Sequence, residues 1–213
     1  MTDSCSDLVV LVADKNMEAA IQGVLSRPEA LGIKPVQATV YVHPHRDPGC
    51  FLRGSEFLRP MVNRYSYGLL MFDRVGSGKE DKYSKEKLES IAGEKLSQSG
   101  WGDRSAVVVL DPELEIWVWS DSPEVEHCLG WKRQKLPLRQ WLNNQGIWSN
   151  DRIKPEDPKA AIEKALHKVR KPRSSAIYKL LADRVGFSHC TDPAFEKLKN
   201  TLSKWFPVQG KMS

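Results

Sequence analysis

The sequence predicts an α/β fold of three layers, in which a mostly parallel β-sheet is flanked by helices. Three short runs of Val, Leu and other apolar residues are continuous, which is typical of strands buried on both faces of a parallel sheet. These runs are Leu8–Ala13, Tyr67–Phe72 and Ala106–Leu110. Segments with helical periodicity separate them, which favours a sheet covered by helices. An aspartate directly follows each run, and in open α/β sheets ligands bind outside the carboxyl ends of the strands.

The first half of the chain alternates strands and helices. Pro35–Val42 alternates apolar and polar residues, so we expect this strand to lie nearer a sheet edge. Pro60 should shorten or kink the helix that contains it. Apolar and polar residues alternate in Glu113–Ser120, and a helix is one alternative for this segment. The expected elements are strand Leu8–Ala13, helix Met17–Ser26, strand Pro35–Val42, loop His43–Phe51, helix Ser55–Asn63, strand Tyr67–Phe72, helix Tyr83–Ser97 and strand Ala106–Leu110.

The second half is predicted to be helical and is strongly basic. Residues 1–130 carry 14 Lys and Arg against 20 Asp and Glu, a net charge of −6, whereas residues 131–213 carry 18 against 7, a net charge of +11. We therefore expect an α/β domain over residues 1–130 that binds cations, and a basic helical region over residues 131–213, packed on it, that binds polyanions. The alternative is that these charges simply lie on solvated helices and have no separate binding roles. The expected helices are Pro123–Leu129, Leu138–Asn143, Pro158–Arg170, Ala176–Val185 and Pro193–Phe206.

Composition narrows the class of protein. Hydrophobic residues make up 40% and charged residues 28% of the 213-residue chain, which is ordinary for a globular protein. No apolar run approaches the roughly 18 residues of a membrane span, and the amino terminus lacks the pattern of a signal peptide. The cysteines are far apart and form no CxxC pair, which disfavours a zinc ribbon and a disulfide framework; they are Cys5, Cys50, Cys128 and Cys190. We expect a cytoplasmic protein with reduced thiols and no membrane partner.

The acids at the predicted strand ends indicate a site for Mg²⁺ or Mn²⁺, which are hard cations that prefer oxygen ligands. Asp73 and Asp111 are the expected direct ligands. Asp14 or Glu18 would serve as general acid/base or as an added ligand. Two further acids are spare metal candidates, namely Glu113 and Glu115. The alternative is that such acids cap the following helices, with Asp14 as the cap and Glu18 complementing the helix dipole.

Basic residues supply the expected nucleic-acid contacts. Arg46, in the predicted loop His43–Phe51, is the best phosphate candidate there. In the basic half, five side chains would hold a DNA or RNA backbone: Lys168, Arg170, Lys171, Arg173 and Lys179. Tyr178 is a stacking candidate beside them, although its position favours a role in the core.

The segment Gly76–Lys79, with sequence GSGK, does not meet the requirements of a phosphate-binding P-loop. A Walker A motif needs a glycine five residues before its Gly-Lys pair and Ser or Thr after it. Asp73 and Glu80 stand at those two positions. We interpret the segment as a flexible loop that follows an acid-bearing strand.

Two segments resemble those of Toprim-like proteins found in bacterial defence islands. They are the E-x-W-x-W-x-D stretch Glu115–Asp121 and the KPRSSAIY stretch Lys171–Tyr178, and the resemblance covers about residues 8–206. It implies a Toprim-like fold and a subunit of a methylation-associated anti-phage system. Toprim nucleases and topoisomerases hold Mg²⁺ with a Glu after the first strand and a DxD pair after a later strand. Here Asp14 replaces the expected Glu unless Glu18 takes that role, and Asp111-Pro112-Glu113 comes nearest to the pair.

Taken together, the residues and the resemblance predict a divalent-metal-dependent nucleic-acid phosphodiesterase, a nuclease of prokaryotic anti-phage defence. Two alternatives belong to other classes of protein. One is a catalytically inactive Toprim-like subunit that binds nucleic acid or partner proteins of a defence complex. The other is a nucleotide-binding sensor.

Overall fold

The computed structural model describes residues 6–187 and 190–208 and confirms an α/β fold, with a parallel sheet flanked by helices. The sheet has four strands in the order β2-β1-β3-β4, and every neighbouring pair is parallel. In the register, Val10 of β1 lies opposite Val40 on one side and Leu69 on the other. The strands are β1 Ser6–Val12, β2 Ala38–Val42, β3 Tyr65–Asp73 and β4 Ser105–Leu110.

The predicted strands and most predicted helices are confirmed, with ends that differ by at most three residues. The helices are α1 Lys15–Leu25, α2 Pro28–Leu31, α3 Arg46–Leu58, α4 Lys85–Leu96, α5 Pro123–Leu129, α6 Leu138–Asn144, α7 Pro158–Lys168, α8 Ser175–Arg184 and α9 Pro193–Trp205. Shorter helical turns cover Arg59–Met61, Ser97–Trp101, Gly102–Arg104, Leu114–Trp117 and Trp131–Arg133.

The burial of each strand follows its hydrophobic pattern. Residues 8–12 of β1, a continuous run of Val and Leu, are fully buried in the middle of the sheet. β2, whose residues alternate, is half-buried and forms an edge of the sheet, as predicted. A continuous apolar strand needs cover on both faces, whereas an edge strand tolerates partial exposure.

Helices cover both faces of the sheet. Successive side chains of a strand point to opposite faces. On β3, Leu70 and Phe72 face α3, where Phe72 packs against Phe51. Tyr67 lies on the opposite face and stacks on Trp205 of α9, with ring centroids 4.6 Å apart. Three layers therefore form, as the sequence predicts.

The carboxyl-terminal helices share the core with the sheet. An ideal Cβ on Gly23 of α1 would lie 2.7 Å from the Cβ of Ala182 on α8, so the two helices approach as closely as glycine allows. Arg27 Nη1 donates hydrogen bonds to the carbonyls of Ala182 and Val185, both at 2.7 Å. These contacts fix the basic region against α1. The domain boundary at residue 130 stays a prediction.

Two local predictions are wrong. His43–Phe51 is not a loop, because α3 begins at Arg46. Pro48 stands in the first turn of that helix, where a missing N–H removes no helical hydrogen bond. The helix expected over Ser55–Asn63 ends at Leu58, and Pro60 lies in the following short turn.

Within residues 6–187 and 190–208, none of the helices has the length and apolar character needed to cross a bilayer. Cys50, Cys128 and Cys190 are free thiols. Cys5 lies outside the described residues.

Candidate functional site

The topology places a crevice at the carboxyl ends of β1 and β3. The chain passes from β1 to β2 on one side and then crosses to the other side of β1 to form β3. Where the strand order reverses in this way, the flanking helices leave a gap, and ligands of α/β sheets bind there. Asp14 follows β1 and Asp73 ends β3, so both acids lie at this point.

Three carboxylates converge beside this crevice. One oxygen atom from each of Asp73, Glu113 and Glu115 lies within 4.8 Å of the other two. We call these three residues the acidic cluster. The chain leaves β4 and forms a single helical turn, Leu114–Trp117, which buries Glu115 to 2% exposure. Glu113 stands just before this turn and is 8% exposed.

Asp73 contributes an oxygen with an unsatisfied hydrogen-bonding capacity. Its Oδ1 is buried and has no hydrogen-bond partner among the described residues, although the residue as a whole is partly exposed. Burial raises the pKa of Asp73 well above its usual range, and the charges of Asp47, Glu115 and Asp14 raise it further. A buried acid in this environment favours a bound cation or proton.

Two cations and a phenol hold the glutamates of the cluster. Lys159 Nζ donates to Glu113 Oε2 at 3.0 Å, and Arg173 Nη2 donates to Glu115 Oε1. The Tyr178 hydroxyl also donates to Glu115 Oε1, at 2.5 Å, and accepts from Arg173 Nε at 2.9 Å. Burial and the charge of Glu115 raise the pKa of Tyr178, so the phenol stays protonated. Tyr178 is therefore a core residue, not a stacking platform.

The cluster fits a small divalent cation. Mg²⁺ binds oxygen at about 2.1 Å, so ligands on opposite sides of the ion lie about 4.2 Å apart. The three cluster oxygens lie within 4.8 Å of one another, so small side-chain adjustments would bring all three into contact with one ion. Carboxylate oxygens are the ligands that Mg²⁺ and Mn²⁺ prefer. A bound cation would compete with Lys159 and Arg173 for the two glutamates.

A depression of about 530 Å³ opens next to the cluster. Four cationic side chains and one carboxylate, that of Asp14, line it together with a buried histidine, His43. Burial lowers the pKa of His43, with smaller contributions from His45 and Arg53, so its imidazole is neutral at pH 7. The cations, which we call the depression cations, are Lys15, Arg46, Lys159 and Arg173.

Asp14 acts as the cap of α1. Its Oδ1 accepts hydrogen bonds from the amides of Asn16 and Met17, both at 2.9 Å. The capping alternative is therefore correct for this residue, which nonetheless lines the depression. Glu18 pairs with Lys15 at 2.7 Å and is not among the lining residues.

Asp111 does not join the acidic cluster, which corrects its expected pairing with Asp73. Its Oδ1 accepts from Arg74 Nε at 2.7 Å, and its side chain is 42% exposed. Asp111, the first acid after β4, points outward to this arginine. Glu113 and Glu115, which follow it, join Asp73 in the acidic cluster instead.

The structure separates the residues expected to bind nucleic acid. Arg46 and Arg173 line the depression. Lys171 Nζ donates to the Cys128 carbonyl at 2.7 Å, and Lys179 pairs with Asp183 at 3.2 Å. Lys168 is exposed at the last residue of α7, roughly 13 Å along the helix axis from Lys159. Arg170 follows the helix and is also exposed.

The sequence analysis missed two side chains that contact the acidic cluster. Asp47 Oδ1 accepts from the backbone amide of Asp73 at 2.8 Å, and burial raises its pKa. Lys159 follows the proline that starts α7 and reaches back to the cluster. The Asp-Pro pair at residues 47 and 48 is a helix-start signal that would have brought Asp47 to the carboxyl end of the sheet.

The GSGK loop is held by its own hydrogen bonds. Glu80 accepts from the amide of Gly76 at 3.3 Å and from the Ser77 hydroxyl at 3.4 Å. Arg74 Nη1 donates to the Glu80 carbonyl at 3.0 Å. The Glu80 carboxylate thus occupies a backbone N–H group of the kind that binds phosphate in a P-loop.

The fold and the site define an α/β protein with an acidic cluster at the switch point of its sheet. Comparison with protein-family models, with curated proteins and with solved structures finds no match for this chain. The resemblance to Toprim-like proteins stays a prediction.

In the structure, the tryptophans of Glu115–Asp121 attach the carboxyl-terminal region to the segment that follows β4. Trp117 Nε1 donates to Asp192 at 3.0 Å, and Trp119 Nε1 donates to the Pro158 carbonyl at 2.9 Å.

Proposed function

We propose that this chain is a Mg²⁺- or Mn²⁺-dependent phosphodiesterase that cleaves nucleic acid. The supporting observation is the convergence of Asp73, Glu113 and Glu115, with a buried and unpartnered Asp73 oxygen, beside a depression lined by cations. A cation held there would polarise a phosphate and activate water. A role in prokaryotic anti-phage defence, in a Toprim-like protein of the cytoplasm, belongs to the same proposal and rests on the sequence resemblance.

The chain offers a base for the hydrolysis. Hydrolysis of a phosphodiester joins a water oxygen to phosphorus and breaks one P–O ester bond; a base takes the proton from water, and the leaving oxygen gains a proton. Asp14 lines the depression, and both cap hydrogen bonds go to its Oδ1, so its Oδ2 takes part in neither. We assign Asp14 as the base. Lys159, an ammonium with three donors at the rim, is suited to protonate the leaving oxygen.

Nuclease activity on plasmid, single-stranded DNA and RNA tests the proposal. Cleavage should require Mg²⁺ or Mn²⁺ and should fall at least about a hundredfold in Asp73→Asn, the scale of losing a group that acts in the transition state. Asp111→Asn makes the same chemical change at another strand end, outside the acidic cluster, and should cleave like the unmodified chain. Equal activity in the two variants would contradict the proposal.

One observation favours a second function, that of a catalytically inactive binding subunit. Lys159 already neutralises Glu113, and Arg173 neutralises Glu115, which also accepts a hydrogen bond from Tyr178, so the network is partly satisfied inside the protein. Buried ion pairs of this kind can fix a structure without doing chemistry. Binding of DNA or RNA that persists in Asp73→Asn, with no cleavage under any divalent cation, would favour this function. Tight binding of a mononucleotide without affinity for a polymer would favour the sensor.

A further inference from the structure

Two of the depression cations belong to both parts of the site. Lys159 lines the depression while its Nζ bonds Glu113, and Arg173 lines it while bonding Glu115. Their side chains are 44% and 29% exposed, so each stands between the buried cluster and the open depression. A change of charge in the cluster therefore acts directly on two groups that face a ligand.

We propose that the depression binds a phosphate group of the substrate through Lys15, Arg46, Lys159 and Arg173, and that Lys159 and Arg173 exchange their glutamate partners for this phosphate when a divalent cation occupies the acidic cluster. This inference rests on the proposed function, because it takes the cation from there. It adds the residues that hold the phosphate and a coupling between the two ligands.

The charge balance gives the reason for the exchange. Without a cation, the three carboxylates of the cluster face two cationic side chains. A divalent cation at Asp73, Glu113 and Glu115 adds two positive charges close to Lys159 and Arg173, and like charges at such distances repel by several kcal/mol at an effective dielectric constant of about 20. A phosphate group in the depression, with one negative charge in a diester and up to two in a terminal or inorganic phosphate, offsets the added charge. Each ligand therefore favours binding of the other.

Arg46 supplies an independent observation. Its backbone has φ +48°, a left-handed conformation that residues other than glycine rarely adopt. Its exposed guanidinium has no hydrogen-bond or ion-pair partner within the described part of the chain. Lys15 is 74% exposed and pairs with Glu18.

Calorimetric titration of the full chain with inorganic phosphate, with and without Mg²⁺, tests the inference. We expect Mg²⁺ to tighten phosphate binding at least about tenfold, and phosphate to tighten Mg²⁺ binding by the same factor, since such coupling is reciprocal. Arg46→Asn, chosen because Asn tolerates a left-handed backbone, should weaken phosphate binding about tenfold or more and leave Mg²⁺ binding in phosphate-free buffer unchanged. Arg59→Gln removes an exposed arginine that directly follows the same helix, outside the depression, and should change neither affinity.

Lys159→Gln gives a signature that a merely structural lysine would not. It should weaken phosphate binding, yet tighten Mg²⁺ binding in phosphate-free buffer, because the competitor for Glu113 is gone. Thermal unfolding of each variant checks that it is folded. Losses of both affinities together would overturn the exchange.

The remaining outcomes separate this inference from the proposed function. If Mg²⁺ binds but phosphate binding is absent, or is the same in Arg46→Asn and the unmodified chain, the inference fails and the metal proposal stands. If phosphate binds through Arg46 but Mg²⁺ does not bind, the proposed function fails and the coupling fails with it. Tighter binding of a 5′-phosphorylated oligonucleotide than of a mononucleotide, lost in Lys168→Gln and Arg170→Gln, identifies a polymer as the source of the phosphate; equal binding identifies a terminal phosphate.

Discussion

Replacing Asp73 by asparagine should stabilise the cation-free protein while removing its capacity to bind Mg²⁺. The carboxyl group is buried beside Glu113, Glu115 and Asp47, and its Oδ1 has no partner among the described residues. An amide has nearly the same shape, carries no charge and offers two N–H donors to the neighbouring carboxylates. A side chain that costs stability without a ligand is expected at a functional site.

Coulomb's law gives the scale of this effect. Two unit negative charges at the 4.8 Å limit of the cluster repel by about 3.5 kcal/mol at an effective dielectric constant of about 20. Lys159 and Arg173 offset part of this repulsion. The charged Asp73 can destabilise the fold by at most about 4 kcal/mol at pH 7, because a larger penalty would make the side chain take up a proton instead. We therefore expect the variant to gain about 1 to 3 kcal/mol in the free energy of unfolding, or about 2 to 4 °C in Tm for each kcal/mol in a chain of this size.

The gain should depend on pH in a defined direction. Burial, with the nearby carboxylates, raises the pKa of Asp73 above its ordinary value of 3.8. Between these two pKa values the folded protein holds a proton that the unfolded chain has released, so the unmodified protein loses stability as pH rises through this window. Asparagine does not titrate. The difference between the two proteins should be near zero at about pH 4 and should grow toward neutral pH.

Urea unfolding at several pH values, in EDTA and then in Mg²⁺, measures this prediction. Mg²⁺ should stabilise the unmodified chain by RT ln(1 + [L]/Kd) and should leave Asp73→Asn unchanged. Asp111→Asn is the matched control; it breaks an exposed pair with Arg74 and should change stability by at most about 1 kcal/mol at any pH. A cation-free Asp73→Asn protein that is less stable than the unmodified chain at neutral pH would refute the electrostatic reasoning.

Three further substitutions probe other contacts. Arg173→Gln leaves the buried Glu115 without its cation and should cost about 2 to 4 kcal/mol in urea unfolding; a loss below 1 kcal/mol would mean that the pair is not desolvated. Gly68→Ala places a Cβ 3.1 Å from the ring of Trp101 and should lower stability by about 1 to 3 kcal/mol, with a parallel change in near-ultraviolet circular dichroism. Asp14→Ala should lose about 1 kcal/mol with the α1 cap, whereas Asp14→Asn should retain that stability but not cleavage; full cleavage by Asp14→Asn would remove Asp14 as the base.

Local patterns predicted the fold because they are created by neighbouring residues. Continuous Val and Leu runs identified β1, β3 and β4, and alternation identified β2 as an edge strand. Prolines predicted the first residue of α5, α7 and α9 correctly, because each of these helices begins at a proline. The helix that begins at Arg46 was missed because prolines and glycines normally interrupt helices. Here Pro48 falls in the first turn, and Gly49 lies so close to His43 that a Cβ there would clash with the imidazole ring.

The candidate site was predicted only in part, because its partners are distant in the sequence. Asp73 was identified from its strand end alone. Which acid after β4 would turn inward depended on long-range contacts: Asp111 is drawn to Arg74, whereas Glu115 is drawn to Arg173, 58 residues further along the chain. A pattern of nearby residues contains no information about either pairing.

The structure explains the charge asymmetry of the two halves more specifically than separate binding of cations and polyanions does. Lys159 reaches Glu113, Arg173 reaches Glu115, and Lys197 pairs with Glu89 at 2.8 Å, so cations of the basic half neutralise acids of the acidic half. Part of the +11 charge therefore holds the carboxyl-terminal helices onto the sheet and is unavailable for a polyanion. Exposed cations such as Lys168 and Arg170 remain for that purpose. Because Lys159 and Arg173 stabilise the contact between the halves and also line the depression, a ligand that draws them away from the glutamates acts on the fold and on the site together.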